Sequence, residues 1–168
     1  LKDLEYLNMA LNNVSKIEGL DKCEFLHKLD LTVNFVDVDE LESSMDHLSE
    51  RDRLRDLYMM GNPSQANWPG FKNYVIARLP QLAYLDGEAI TRSMQIVANQ
   101  QLPKLAVELR SLALTKREEK LAAEKVRWQD IDTGEKSPYT PEVRMKMYEE
   151  LAEEKAEKEL SLIHISEP

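Results

Sequence analysis

LEYLNMALNNV at Leu4–Val14, LHKLDLTVNFV at Leu26–Val36 and LRDLYMMGN at Leu54–Asn62 write one pattern three times. An aliphatic residue or Met stands at the first, fourth and sixth places, and Asn at the ninth. Leu82 and Leu85 open a fourth copy that stops at Asp86-Gly87. The step from Leu54 to Leu82 repeats the step from Leu26 to Leu54, so the register is kept.

The pattern matches the leucine-rich-repeat template L-x-x-L-x-L-x-x-N-x-L. Each copy supplies a short strand and a return segment, and neither can bury its apolar side alone. Stacking puts Leu4, Leu7, Met9 and their equivalents into one interior. The expected fold is α/β: a leucine-rich-repeat solenoid, a right-handed β-α superhelix, with a C-terminal cap and an extended α-helical tail. An Asn side chain bonds backbone groups in the sharp turn after each strand. Asn12, Asn34 and Asn62 are therefore expected to form a buried polar ladder, and each backbone group left unpaired by its loss would cost about 1–3 kcal/mol.

Strand residues between the core positions point to the concave face. One row reads Tyr6, Lys28, Asp56, Tyr84 and a second reads Asn8, Asp30, Tyr58, Asp86, with Ala10, Thr32 and Met60 continuing the surface. Aromatic, Met and acidic residues mixed on a curved wall suit protein recognition. These positions are the expected partner-binding site.

Outside the repeats, composition narrows the function classes. The chain has 168 residues, a net charge of −9 and a pI near 4.9. That balance argues against binding nucleic acid by phosphate neutralisation, and against an anionic membrane surface. No apolar run approaches the roughly 20 residues that span a bilayer. The lone Cys23 has no disulfide partner, reads as a buried structural thiol, and fits a reducing, cytoplasmic compartment. The chain starts inside a repeat without an initiator Met and is read as a piece of a longer protein.

Residues 1–87 are thus read as three repeats plus cap. Leu41, Met45 and Leu48 recur at helical spacing after repeat two, with Asp37 or Asp39 as the cap. Met60-Gly61-Asn62-Pro63 reads as a turn, and Phe71 to Pro80 as an amphipathic helix whose Phe71, Tyr74, Val75 and Leu79 close the solenoid end. Residues 88–128 form a charged helical segment. There Ala98, Leu102, Leu105, Leu109 and Leu112 trace a coiled-coil-like seam of about two heptads, and Pro103 either starts a new helix or kinks a long one. This helix is expected to dock on the solenoid or on a partner. Residues 129–139 read as a linker, and 140–160 as a helix with Thr140 as N-cap and Pro141 at the first position. SLIHISEP at 161–168 resembles translated sequencing-adapter sequence and is set aside from the fold.

Chemistry-bearing motifs are absent from the sequence. His27, His47 and His164 stand apart from one another and from Cys23, and no H-x-x-x-H, C-x-x-C or glycine-rich phosphate loop occurs. No catalytic residue, metal site, cofactor or small-molecule substrate is expected; the reading is a binding protein, not an enzyme.

The run LKDLEYLNMALNNVSKIEGLDKCEFLHKLDLTVNFVDVDEL, the GNP at Gly61–Pro63 and FKNYVIARLPQLAYLDG resemble leucine-rich-repeat proteins of the tilB type. TPEVRMKMYEEL at Thr140–Leu151 is similar to a helical motif downstream of the repeats in that family. The resemblance implies a non-enzymatic cytoplasmic scaffold in the preassembly of axonemal dynein arms for cilia and flagella. Its implied partners are dynein arm subunits, co-chaperones and other assembly factors. The family's first repeats and its C-terminal CS-like β-sandwich have no counterpart in this sequence. The cap motif also resembles phosphatase-regulatory and spliceosomal ribonucleoprotein repeat proteins, which makes an adaptor of either type the alternative.

Overall fold

The computed structural model describes residues 1–132 and 141–165, and the side chains of all of these except 130–132 and 161–165. Two units are present, Leu1–Glu118 and one starting at Glu119.

In the first unit, the core leucines of each repeat set three strands side by side: β1 (Tyr6–Asn8), β2 (Lys28–Asp30) and β3 (Asp56–Tyr58). With β4 (Tyr84–Leu85) they pair in parallel and in sequence order. A parallel neighbour requires a return path, and the paths lengthen along the chain. Repeat one returns through a loop that buries Ile17, Leu20 and Cys23. Repeat two returns through α1 (Val38–Ser49), capped by the Asp37 carboxylate, which accepts from Val38 N at 2.7 Å. Leu41, Met45 and Leu48 on α1 are fully buried, as their spacing predicts.

Repeat three returns through two helices, where the sequence reading has a turn and then one helix. Pro63 does not merely end a strand; it starts α2 (Pro63–Asn67), since a missing N–H costs nothing at a first helical position. α3 (Phe71–Arg78) follows and buries Phe71, Tyr74 and Val75, with Leu79 as its C-cap, and also Ile76. The fourth strand then reverses. Asp86 and Gly87 both take positive φ (50° and 81°), as a tight two-residue hairpin turn demands, and β5 (Glu88–Ala89) runs antiparallel to β4.

The chain turns sharply after each parallel strand, with Leu11, Val33 and Gly61 in the left-handed region just before the asparagines. Only glycine enters that region without cost; a β-branched Val33 there carries about 1–2 kcal/mol of strain. The asparagines hold these turns. Asn34 donates to Met9 O and Leu31 O and accepts from Val14 N. Asn62 repeats the set with Leu31 O, Met59 O and Val36 N. Both are buried, whereas Asn12, expected in the same buried ladder, is exposed. Its amide reaches only its own turn, at Met9 O and Ala10 O, because no strand pairs with the other edge of β1 among the described residues.

α4 (Arg92–Asp132) is one helix with Pro103 inside it, and it extends past the expected end of the helical segment at 128. Through Glu118 it packs on the return layer. Ala98, Leu105 and Leu109 join the solenoid core, and Leu102 is partly buried against it. The seam therefore closes on this chain's own solenoid and not on a coiled-coil partner. Ala113 is buried in place of Leu112, because an α-helix at 3.6 residues per turn drifts off a 3.5-residue seam. Arg110 pairs with Glu42 of α1 at 3.0 Å, and Arg117 donates to Asp39 O at 2.9 Å.

In the second unit, α5 (Pro141–Ile165) continues into the segment set aside as adapter sequence, and it carries a Glu154–Lys158 pair at 2.9 Å. Val143, Met147 and Leu151 lie exposed on it. Thr140 and most of the expected linker lie outside the described residues.

Candidate functional site

Strand register places the side chains named from the sequence into rows. Tyr6 pairs with Lys28, Lys28 with Asp56 and Asp56 with Tyr84; beside them Asn8 pairs with Asp30 and Asp30 with Tyr58. Asp86 lies just past the end of β4, so it closes the second row from a turn and not from a strand. Tyr6 and Tyr84 are about half exposed (47% and 48%), and Met60 stands out at 53%. The two rows form a shallow surface of rings and carboxylates over a buried leucine floor.

Several of these groups are already engaged. Lys28 Nζ lies 5.1 Å from the ring centroids of both Tyr6 and Tyr58, a cation held by two aromatic faces. The Tyr58 contact is diagonal across the sheet, which long side chains can bridge. Asn8 Oδ1 accepts from Ala10 N, and Asp30 Oδ1 accepts from both the N–H and the hydroxyl of Thr32. Asp56 Oδ1 is buried without a hydrogen-bond partner.

Asp86 differs most from the sequence reading. Its carboxylate accepts from Met59 N at 2.6 Å and Met60 N at 2.9 Å, so it braces the end of β3 as well as facing outward. Burial pushes its carboxyl above the ordinary value, the two backbone hydrogen bonds oppose this, and Asp30 adds a smaller push in the raising direction. Beside it, Met60, Trp68, Phe71, Lys72, Leu85 and Glu88 border a hollow of about 310 Å³. Glu88 is paired with Lys72 there at 2.7 Å.

Sequence reasoning missed this hollow because its wall is non-local. Trp68 is buried through a hydrogen bond from its Nε1 to Glu108 of α4 at 2.9 Å and a ring contact with Tyr74 at 5.6 Å. The signal available in the sequence was an isolated Trp beside Gly70. Among the described residues no group of His, Cys, Asp and Glu is placed to hold a metal ion, and no helix is long and apolar enough to cross a membrane.

No family model matches the chain. A Mus musculus protein named dynein axonemal assembly factor 11 is 41% identical over 110 residues, 66% of this chain and 22% of that protein. Its Trypanosoma brucei brucei namesake is 36% identical over 162 residues, 89% of this chain and 40% of that protein. Protein tilB of Drosophila melanogaster is 38% identical over 122 residues, 61% of this chain and 31% of tilB. The chain belongs to the tilB-type leucine-rich-repeat family. This tilB-type chain spans less than half the length of those relatives. A chain of the Drosophila melanogaster SNF/U2A' complex aligns with a TM-score of 0.57 at 26% identity, covering 64% of each chain, in keeping with the repeat fold.

Proposed function

We propose that this chain is a non-enzymatic protein-binding scaffold in the cytoplasmic preassembly of axonemal dynein arms, serving motile cilia and flagella. One observation carries the binding role: α4 covers part of the return layer, while the outward side chains of the parallel sheet are left uncovered. A curved sheet presenting Tyr6, Tyr58, Tyr84 and Met60 supplies rigid contact area at low entropic cost. The partners are proteins, namely dynein arm subunits, co-chaperones and other assembly factors. The names of the relatives support the assembly role, and they favour it over a phosphatase-regulatory or ribonucleoprotein adaptor.

The test is affinity purification from ciliating cells with the parent chain and with Tyr58→Ala. Recovery of dynein subunits or co-chaperones is expected, falling about tenfold or more in the variant if Tyr58 anchors the interface. Unchanged recovery would move the interface to the return side or the C-terminal helices. Recovery of a phosphatase or a splicing ribonucleoprotein instead would overturn the assembly role.

A further inference from the structure

Charge is distributed unevenly over the outward face. Among the described residues, Asp30, Asp56 and Asp86 lie around Tyr58 against the single cation of Lys28, while Glu88, next along the hairpin, and Lys72 cancel as a pair. Asp30 and Asp86 are close enough to repel. Asp56 adds a half-buried carboxylate whose Oδ1 is buried without a donor. The face also holds a cation already: the Lys28 ammonium occupies the space between the Tyr6 and Tyr58 rings. Excess carboxylate beside aromatic faces is the environment that recognises an ammonium or, better, a guanidinium, which pairs with carboxylate and stacks on rings. The hollow by Met60, Trp68 and Phe71, with Lys72, Asp86 and Glu88 also on its border, adds a partly apolar seat at the cap end beside the rows.

Resting on the concave-face reading above, we infer that the partner presents a basic polypeptide segment. Its arginine or lysine side chains lie over Asp30, Asp56 and Asp86 and against Tyr6 and Tyr58, and an apolar side chain enters the hollow. Lys28 is the internal stand-in for one of these cations, and it opposes the segment until displaced.

The test is fluorescence anisotropy of the full chain with a labelled peptide of alternating arginine and glycine around a central leucine, and with its glutamate counterpart. Asp30→Asn, Asp56→Asn and Asp86→Asn combined keep the oxygens that accept from Thr32, Met59 and Met60. This triple variant should weaken the arginine peptide about tenfold, as loss of complementary charge does. A control with Asp21→Asn, Glu24→Gln and Asp52→Asn changes net charge equally away from the rows and should change binding less than about twofold. Lys28→Gln should tighten binding about threefold, because a like charge is removed. Equal losses in both triple variants would reduce the effect to general charge and overturn the inference. So would absence of arginine-peptide binding, weaker binding by Lys28→Gln, or equal binding of the glutamate peptide. None of these would touch the scaffold reading, which falls if the affinity purification recovers a phosphatase or a splicing ribonucleoprotein in place of dynein subunits and co-chaperones.

Discussion

Asn62→Ala isolates what the asparagine turns contribute. Asn62 is fully buried, with Nδ2 2.9 Å from Leu31 O and 2.8 Å from Met59 O, and Oδ1 3.1 Å from Val36 N. The three losses are unequal. Leu31 O keeps the Asn34 amide at 3.0 Å, and Met59 O keeps the Asn62 N–H at 3.3 Å. The Val36 N–H is left without an acceptor inside the core. An orphaned buried donor costs about 1–3 kcal/mol and each of the two weakened carbonyls about 0.5–1, which gives about 2–5 kcal/mol in all. Asn12→Ala removes chemically similar bonds, to Met9 O at 2.9 Å and Ala10 O at 3.1 Å, but at an exposed turn where water replaces them. That variant should cost less than about 1 kcal/mol. Urea unfolding followed by circular dichroism reads both, with the slope checked for equality across variants. With a slope near 2 kcal/mol per molar, Asn62→Ala should lower the midpoint by about 1–2.5 M. Equal shifts for the two variants, or a cost for Asn62→Ala below about 1 kcal/mol, would refute the reasoning that burial of the turn donor sets the energy.

Two further outcomes follow from the cap and from Asp86. A Cβ on Gly70 would lie 2.7 Å from Leu105 Cδ2 and 2.8 Å from the Trp68 ring, so Gly70→Ala should destabilise the docked helix by about 1–3 kcal/mol. In a Trp128→Phe background the Trp68 emission should shift to the red; unchanged emission and midpoint would show that the cap absorbs the methyl. For Asp86, burial first of all raises the folded value, so the folded chain holds that proton more tightly than the unfolded chain. Its stabilising contribution is present below the ordinary carboxylate value and is lost as pH rises through the raised value. Asp86→Asn keeps an acceptor for Met59 and Met60 without the charge, and should exceed the parent in stability at neutral pH. That advantage should close as pH falls below the ordinary carboxylate range; urea midpoints giving a constant difference would contradict it.

The repeats were legible because their information is local and periodic. Leu26, Leu29, Leu31 and Asn34 name both a strand and its turn, and the register rows follow from counting by two. α1 was legible for the same reason, through Leu41, Met45 and Leu48. The outward rows could be enumerated, but not what their members touch. The reach of Lys28 to Tyr58 and the brace of Asp86 on Met59 depend on sheet twist and on the hairpin turn.

By itself, the sequence determined the stack of parallel strands, the polar turns and the residues that face outward, since each follows from a spacing within one repeat. Tertiary structure alone decided that the apolar side of α4 rests on the solenoid, that Ala113 replaces Leu112 in that contact, and that Asn12 is wet while Asn34 and Asn62 are dry. An amphipathic pattern states that a face must be covered but not by which surface, and burial depends on neighbours distant in the chain.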